Sequence, residues 1–369
     1  MDNLLYKVAF ASIRGMGVEL AQRMLDVIPS EKDFFMLPEQ ELKQIIGGRS
    51  RIYEQAYRNK QLEKAKRELD FISSKNIKLL YYTQDDYPTR LREACDAPIL
   101  LYASGNCDLN SAHVVSIVGT RHATNYGIKI TGELVQQLSE RLDDVIVVSG
   151  LAYGIDIAAH RASLRCGIPT VAVMARGLNQ IYPASHRKDA VEIVRSNGMI
   201  VTDYQSQDEI HKGNFLARNR IIAALADCTI VVESASSGGA LVTASLATSY
   251  NRDVFATPGR VGDEFSKGCN KLIHNNQAMS ISSADDIIEA MRWEAKTQQA
   301  QQLDLFPELT AEEQKIVDLL QQEGDTHINI IASHTGMPVY RIMASLVELD
   351  CKGIVITLPG SRYALHSNK

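Results

Sequence analysis

The chain has 369 residues, 45% hydrophobic and 22% charged, with a formal net charge of -5 at pH 7. These are the proportions of an ordinary soluble globular protein of two or three domains, and no apolar run is long enough to cross a membrane. Cys95, Cys107, Cys166, Cys228, Cys269 and Cys351 are scattered without a Cys-x-x-Cys pair, which speaks against a zinc site or a disulfide framework and makes a reducing cytoplasm the expected location.

The N-terminal stretch MDNLLYKVAFASIRGMG has no basic segment ahead of its apolar part, so no signal peptide is read there. Residues 1–72 are expected to form a helical domain. Apolar positions recur at helical spacing through Leu20, Met24, Leu25, Val27 and Ile28, and again through Phe34, Leu37 and Leu42. Within Ser12–Leu25 a Gly15-x-Gly17 turn separates two apolar stretches. Such a turn either points backbone N–H groups at a DNA phosphate, as in a helix-hairpin-helix, or simply joins two packed helices.

From Asn76 the pattern changes. IKLLYY, ILLYAS, VVSIVG, VIVVSG, TVAVMA, MIVTDY, CTIVVE and DVFATPG are short apolar runs, most ending in Gly, Ser, Asp or Glu, with amphipathic stretches between many of them. Fully apolar strands alternating with helices indicate a parallel sheet covered on both faces. A doubly wound α/β domain is therefore expected over 76–290. Residues 291–309, rich in Gln, read as a linker. Over 310–369 the order is helical with a small terminal hairpin. Thr310 and Glu313 form a capping box, Pro338 opens a further helix, and two strands flank Pro359–Gly360. That order predicts a winged helix. Its one outward basic residue, Arg341, supports DNA reading only weakly, and a protein-contact role is equally open.

In an open α/β sheet the site lies beyond the carboxyl ends of the strands, so the loops there carry the functional reading. Gly119-Thr120-Arg121 places a fixed positive fork, suited to phosphate oxygens, where a dinucleotide fingerprint would need open backbone. Ser149, Gly150 and Gly154 precede a helix whose free N–H groups favour an anion. Asp156 in its first turn is structural, and His160 has no carboxylate partner that would make it a base. Arg176 follows the next strand. Lys212, Arg218 and Arg220, with Asn219 between the arginines, form the densest basic cluster, and Phe215 among them either stacks a base or anchors the loop. Ser237-Gly238-Gly239 leads into a helix with Thr243 one turn in, a phosphate cradle by composition without the Lys-Ser/Thr ending of an ATPase loop. No nucleophile–base pair and no metal-ligand spacing emerges, so neither catalysis nor a metal is expected, and the loops suit many phosphate groups or one phosphorylated ligand.

These segments together resemble the DNA-processing protein A (DprA/Smf) family: SIVGTR, SGLAYGIDIAAH, GLNQIYP, NFLARNRII, ESASSGGALVTA, VFATPG and KGCNKLI, in the family order and covering nearly all of 76–280. The resemblance implies an extended Rossmann-like fold between a helical N-terminal domain and a C-terminal winged helix. It implies single-stranded DNA as partner, no nucleotide cofactor, homodimers, and a role in natural transformation: protecting incoming strands and helping to load the RecA recombinase. By match to SxVGxR, Arg121 should contact phosphate. By match to FPxRNR, Arg218 and Arg220 should line the same groove, and the loops at Gly150 and at Gly238–Gly239 should offer backbone N–H groups. The chain departs from the family pattern at Ala175-Arg176-Gly177, at His186, at Leu216 and at Thr202-Asp203-Tyr204-Gln205. The rival is a nucleotide phosphoribohydrolase of the lysine-decarboxylase-like (LOG) type, which carries PGGxGTxxE. Here the corresponding stretch, SGGALVTASLA, lacks that glutamate, and with it a group for acid–base work on a glycosidic bond.

Overall fold

The computed structural model describes residues 2–47, 50–296, 309–358 and 360–365. They fall into two compact units, Met1–Lys296 and Thr297–Lys369.

In the first unit the chain opens with α1 (Asp2–Ala11), α2 (Val18–Leu25), α3 (Glu31–Met36), α4 (Glu39–Ile46) and the long α5 (Gln55–Lys75). Phe10, Phe34 and Phe35 pack edge to face in their centre. Arg58 is fully buried there, donating to Phe34 O at 2.7 Å and Leu37 O at 2.8 Å. It thereby satisfies carbonyls at the end of α3 that the helix leaves unpaired.

The α/β part follows as β1 (Lys78–Tyr81), α6 (Thr89–Arg92), β2 (Leu100–Gly105), β3 (His113–Val118), α7 (Asn125–Arg141), β4 (Val145–Ser149), α8 (Ile155–Cys166), β5 (Thr170–Val173), α9 (Arg187–Arg195), β6 (Met199–Thr202), α10 (Lys212–Leu225), β7 (Cys228–Val231), α11 (Gly239–Ser249), β8 (Asp253–Ala256), α12 (Lys267–His274), β9 (Met279–Ser280) and α13 (Ala284–Met291). Among the described residues the sheet order is β1-β2-β6-β5-β4-β3-β7-β8-β9. The chain winds outward from β3 to β6, then returns to the other side of β3 with β7. The topological switch point, where a doubly wound sheet opens its crevice, therefore lies between β3 and β7.

All eight apolar runs are strands. The expectation of a wholly parallel sheet fails at one edge: β1 pairs with β2, and β2 with β6, antiparallel. The connection between β1 and β2 holds only the four-residue α6, not the covering helix that usually carries a parallel crossover. The N-terminal helices cover this edge and share its core, which runs without a break from Val8 through Tyr81 and Leu101 to Val231. Two buried carboxylates fasten the helices to the sheet side. Glu31 accepts from Tyr81 Oη at 2.6 Å, and Glu68 accepts from Ser206 N and Oγ. The expected boundary at 72–76 thus separates no two cores.

The second unit runs α14 (Ala311–Glu323), β10 (Thr326–His327), α15 (Ile328–Thr335), α16 (Val339–Cys351), β11 (Val355–Leu358) and β12 (Arg362–Leu365), with sheet order β10-β12-β11. This is a winged helix around Ile316, Ile331, Ile342 and Leu349. The capping box is present: Glu313 N donates to Thr310 Oγ1 at 3.2 Å, and Thr310 N to Glu313 Oε2 at 2.7 Å. Pro338 is the cap residue, one position before the helix it was expected to begin. Arg341 pairs with Glu312 at 3.2 Å. Around it Tyr340, Met343 and Val347 are exposed, an apolar face unlike a phosphate-reading one. Most of the expected linker, 297–308, lies outside the described residues.

Candidate nucleic-acid interface

At the switch point an open cleft of about 540 Å³ lies between the β3 and β7 loops and the first turns of α10 and α11. Among its side chains, Arg121 is an exposed cation. It makes no ion pair or hydrogen bond among the described residues, and its guanidinium lies 5.5 Å from the Phe215 ring centroid. Phe215, in the first turn of α10, packs edge on against Tyr182 at 5.4 Å. Lys212, the first residue of α10, is exposed and likewise unpaired among the described residues. Across the cleft, Ser237 and Gly238 lead into α11, whose N-terminus has no side-chain cap. Its first N–H groups therefore remain available to an anion. The cleft thus combines two free cations, an aromatic platform and an open helix terminus.

Of the other predicted residues, Gly119, Thr120, Asn219, Gly239 and Thr243 also line the cleft, whereas Ser149 and Gly154 do not. At Gly119 a Cβ would overlap Ile155. Two of the turn's N–H groups are spent, Thr120 N on Glu233 O at 2.7 Å and His122 N on Thr120 Oγ1 at 3.1 Å. The glycine here makes room for Ile155 at the start of α8. Gly154, with φ +78°, lets the second loop lie against Thr120 and Arg121, where a Cβ would clash. Ser149 is fully buried and donates to Ile117 O at 2.6 Å. Thr243 bonds back to Gly239 O at 3.0 Å, and Asn219 Nδ2 donates to the same oxygen at 3.2 Å, fixing the start of α11 on α10.

Arg218 lines the cleft as expected, though as a nearly buried clamp, while the placement of Arg220 needs correction. Arg218 is 3% exposed. Its guanidinium donates to Gly150 O at 2.6 Å and to Val173 O, clamping the ends of β4 and β5 beneath the cleft. Gly150 is required because a Cβ would overlap that guanidinium, so its missing side chain makes room for the arginine. Burial lowers Arg218 to about 10, opposed by the nearby Asp156 carboxylate, which burial in turn raises while Arg218 opposes the shift. Arg220 points the other way, to Asp203 and Asp96 O, and lines a different cleft. Neighbours on a helix face different sides, so an Arg-x-Arg spacing cannot put both on one groove. Arg176 is half-buried against Gln180 and borders a narrow 60 Å³ pocket that also touches Arg121 and Phe215.

Tyr182, 46% exposed beside Phe215, was missed in the sequence. Its only signal was an aromatic residue ahead of a proline, which marks a turn as readily as a site.

His160 is fully buried, with Leu151 N donating to Nε2 at 3.3 Å. That places the proton on Nδ1, which donates to Thr170 Oγ1 at 2.7 Å, and this hydroxyl donates on to Val147 O. Burial, with Arg218 nearby, pushes the imidazole down to about 3. The unfolded ring titrates near ~6.5, so as pH falls the unfolded state takes up the proton first and stability declines between those values. About 2 kcal/mol should be lost between pH 7 and pH 5 through this group. Urea unfolding of His160→Gln at both pH values should show a slope smaller by that amount. An unchanged slope would mean the imidazole is already protonated in the fold.

Among the described residues no group of His, Cys, Asp or Glu could hold a metal ion, and no helix is long and apolar enough to cross a membrane.

Comparison with known proteins agrees with this architecture. The family model of DNA recombination-mediator protein A matches residues 78–292, and that of the DprA winged helix domain matches 297–361. Protein Smf of Synechocystis is 29% identical over 97% of this chain and 98% of its own length. The crystal structure of DNA processing protein A from Streptococcus pneumoniae superposes with a TM-score of 0.65 at 29% identity, covering 78% of this chain and 97% of that one. DNA processing protein A from Helicobacter pylori, studied for its single-stranded DNA binding mode, superposes with a TM-score of 0.52 at 30% identity over 58% and 95%. The chain belongs to the DNA recombination-mediator protein A (DprA/Smf) family.

Proposed function

We propose that this chain binds single-stranded DNA in the cleft between β3 and β7. It acts there without catalysis, as a mediator in the cytoplasm that protects strands entering during natural transformation and passes them, as a homodimer, to the RecA recombinase. The observation that carries the DNA reading is the unpaired Arg121 lying over Phe215 beside the uncapped start of α11. A cation and an open helix terminus suit successive phosphates, and an aromatic edge suits an unstacked base, which a duplex does not present. The likeness to the Helicobacter pylori protein supports the same ligand. The absence of catalysis is supported by the engagement of the nearby acids. Asp156 is buried near Arg218, and Glu233 accepts from Thr124 N at 2.9 Å and Oγ1 at 2.6 Å. Incubation with AMP should release no adenine.

Gel shifts with single-stranded and duplex DNA of equal length, across salt, test the reading. Single strands should bind more tightly, with log K falling about 0.7 per neutralised phosphate per log unit of salt. Equal binding of duplex, or no salt dependence, would defeat it.

A further inference from the structure

A second and larger cleft, about 890 Å³, opens between the N-terminal helices and the sheet. Its helical wall carries Arg14, Arg23, Arg51, Lys60 and Lys64, none of them in an ion pair among the described residues. Arg51 lies over the Tyr57 ring at 5.4 Å, and Tyr57 also lines the cleft. The Gly15-x-Gly17 turn forms one rim. It is held in place by Val18 N donating to Ala97 O at 3.0 Å and Ser12 Oγ to Gln61 Oε1 at 3.1 Å. α2, which starts at this rim, has no side-chain cap. Gln205, 6% exposed beside the Tyr102 hydroxyl, also lines the cleft.

The opposite wall is acidic. Asp203 is neutralised by Arg220, Asp96 accepts from Tyr250 Oη at 2.7 Å, and Glu209 is exposed, while Glu19 is an exposed acid on α2 within the helical wall itself. A polyanion would therefore follow the helical wall. The first turn of α10 separates this cleft from the one at the switch point: His211 and Asn214 face the former, Lys212 and Phe215 the latter.

The geometry points to a second nucleic-acid track: the phosphodiester backbone of a strand seated at the switch point continues over the first turn of α10 and along the basic wall formed by α2, α5 and the Gly15–Gly17 turn. This rests on the proposed single-strand binding and extends its footprint.

The test uses the full chain with two labelled oligo-dT lengths, one near ~8 nucleotides, enough for one site, and one near ~30. The variant Arg14→Ala/Arg23→Ala/Lys60→Ala/Lys64→Ala should bind the short strand as wild type does. It should bind the long one about 10-fold more weakly, with the log–log salt slope shallower by about 2–3. Glu19→Gln, which removes an exposed acid that has no ion pair among the described residues, should tighten the long strand only. An unchanged slope in the first variant, or no gain in the second, overturns the track. Failure of the switch-point cleft reads differently: Arg121→Ala would then leave the short strand unaffected.

Discussion

Replacing Arg121 and Phe215 together by alanine should weaken binding of an oligo-dT strand about 100-fold at moderate salt and leave thermal unfolding where it was. Base stacking on an aromatic ring contributes about 1–3 kcal/mol, and a desolvated arginine–phosphate contact adds a comparable amount. Two such losses make a factor of about 100 a conservative sum. Stability should hold because Arg121 is exposed and has no partner to abandon, while Phe215 is half-buried at a helix start. Fluorescence anisotropy with a salt titration separates the contributions. Arg121→Ala should reduce the salt slope by about 0.7, whereas Phe215→Ala should lower affinity at an unchanged slope. The same slope change in both would mean that the ring serves only to hold the arginine.

Arg218→Ala should behave in the opposite way. Its guanidinium satisfies Gly150 O and Val173 O inside the protein and faces the buried Asp156. Alanine would leave two carbonyls and a carboxylate without that cation. Removing one member of a buried charged network costs about 3–5 kcal/mol, a large part of the stability of a folded chain. Chemical denaturation should show that loss, and DNA binding should fail in proportion to the unfolded fraction. A variant that melts like wild type yet binds poorly would return Arg218 to the groove as a direct contact. Arg218→Lys is expected to rescue little, because one ammonium cannot reproduce a planar fork between two strand ends.

The contrast between Arg121 and Arg218 shows what could be read from the residues alone. Both lie in strand-end loops or the helices beside them, both match family motifs, and both looked like phosphate contacts. What separates them is whether the backbone beside them leaves room for the side chain to enter. At Gly150 the missing Cβ makes room for Arg218, whereas Arg121 stands exposed on a loop that packs against Ile155 through Gly119. That is a three-dimensional fact, set by residues far apart in the chain. Arg220 was misplaced for a simpler reason. It sits two positions from Arg218 on one helix, and helical geometry alone sends it to another side.

The fold was more legible than the site. The eight strands announced themselves because a strand covered on both faces must be apolar throughout. The direction of β1 and β2 was hidden by the same property, since the N-terminal helices bury that edge as thoroughly as crossover helices bury the rest. β9 and β10, two residues each, are too short to carry any period. The capping box at Thr310 was readable because its chemistry is local. Tyr182 was not, because its partner Phe215 is brought to it only by the sheet.

The most direct test of the account is photochemical crosslinking of 5-iododeoxyuridine-containing single strands to the full chain, followed by identification of the attached residues. The account predicts attachment at Phe215 and Tyr182, lost on competition with unlabelled single strands and retained against duplex. Attachment confined to the amino ends of the strands or to the winged helix, with none at the switch point, would contradict it.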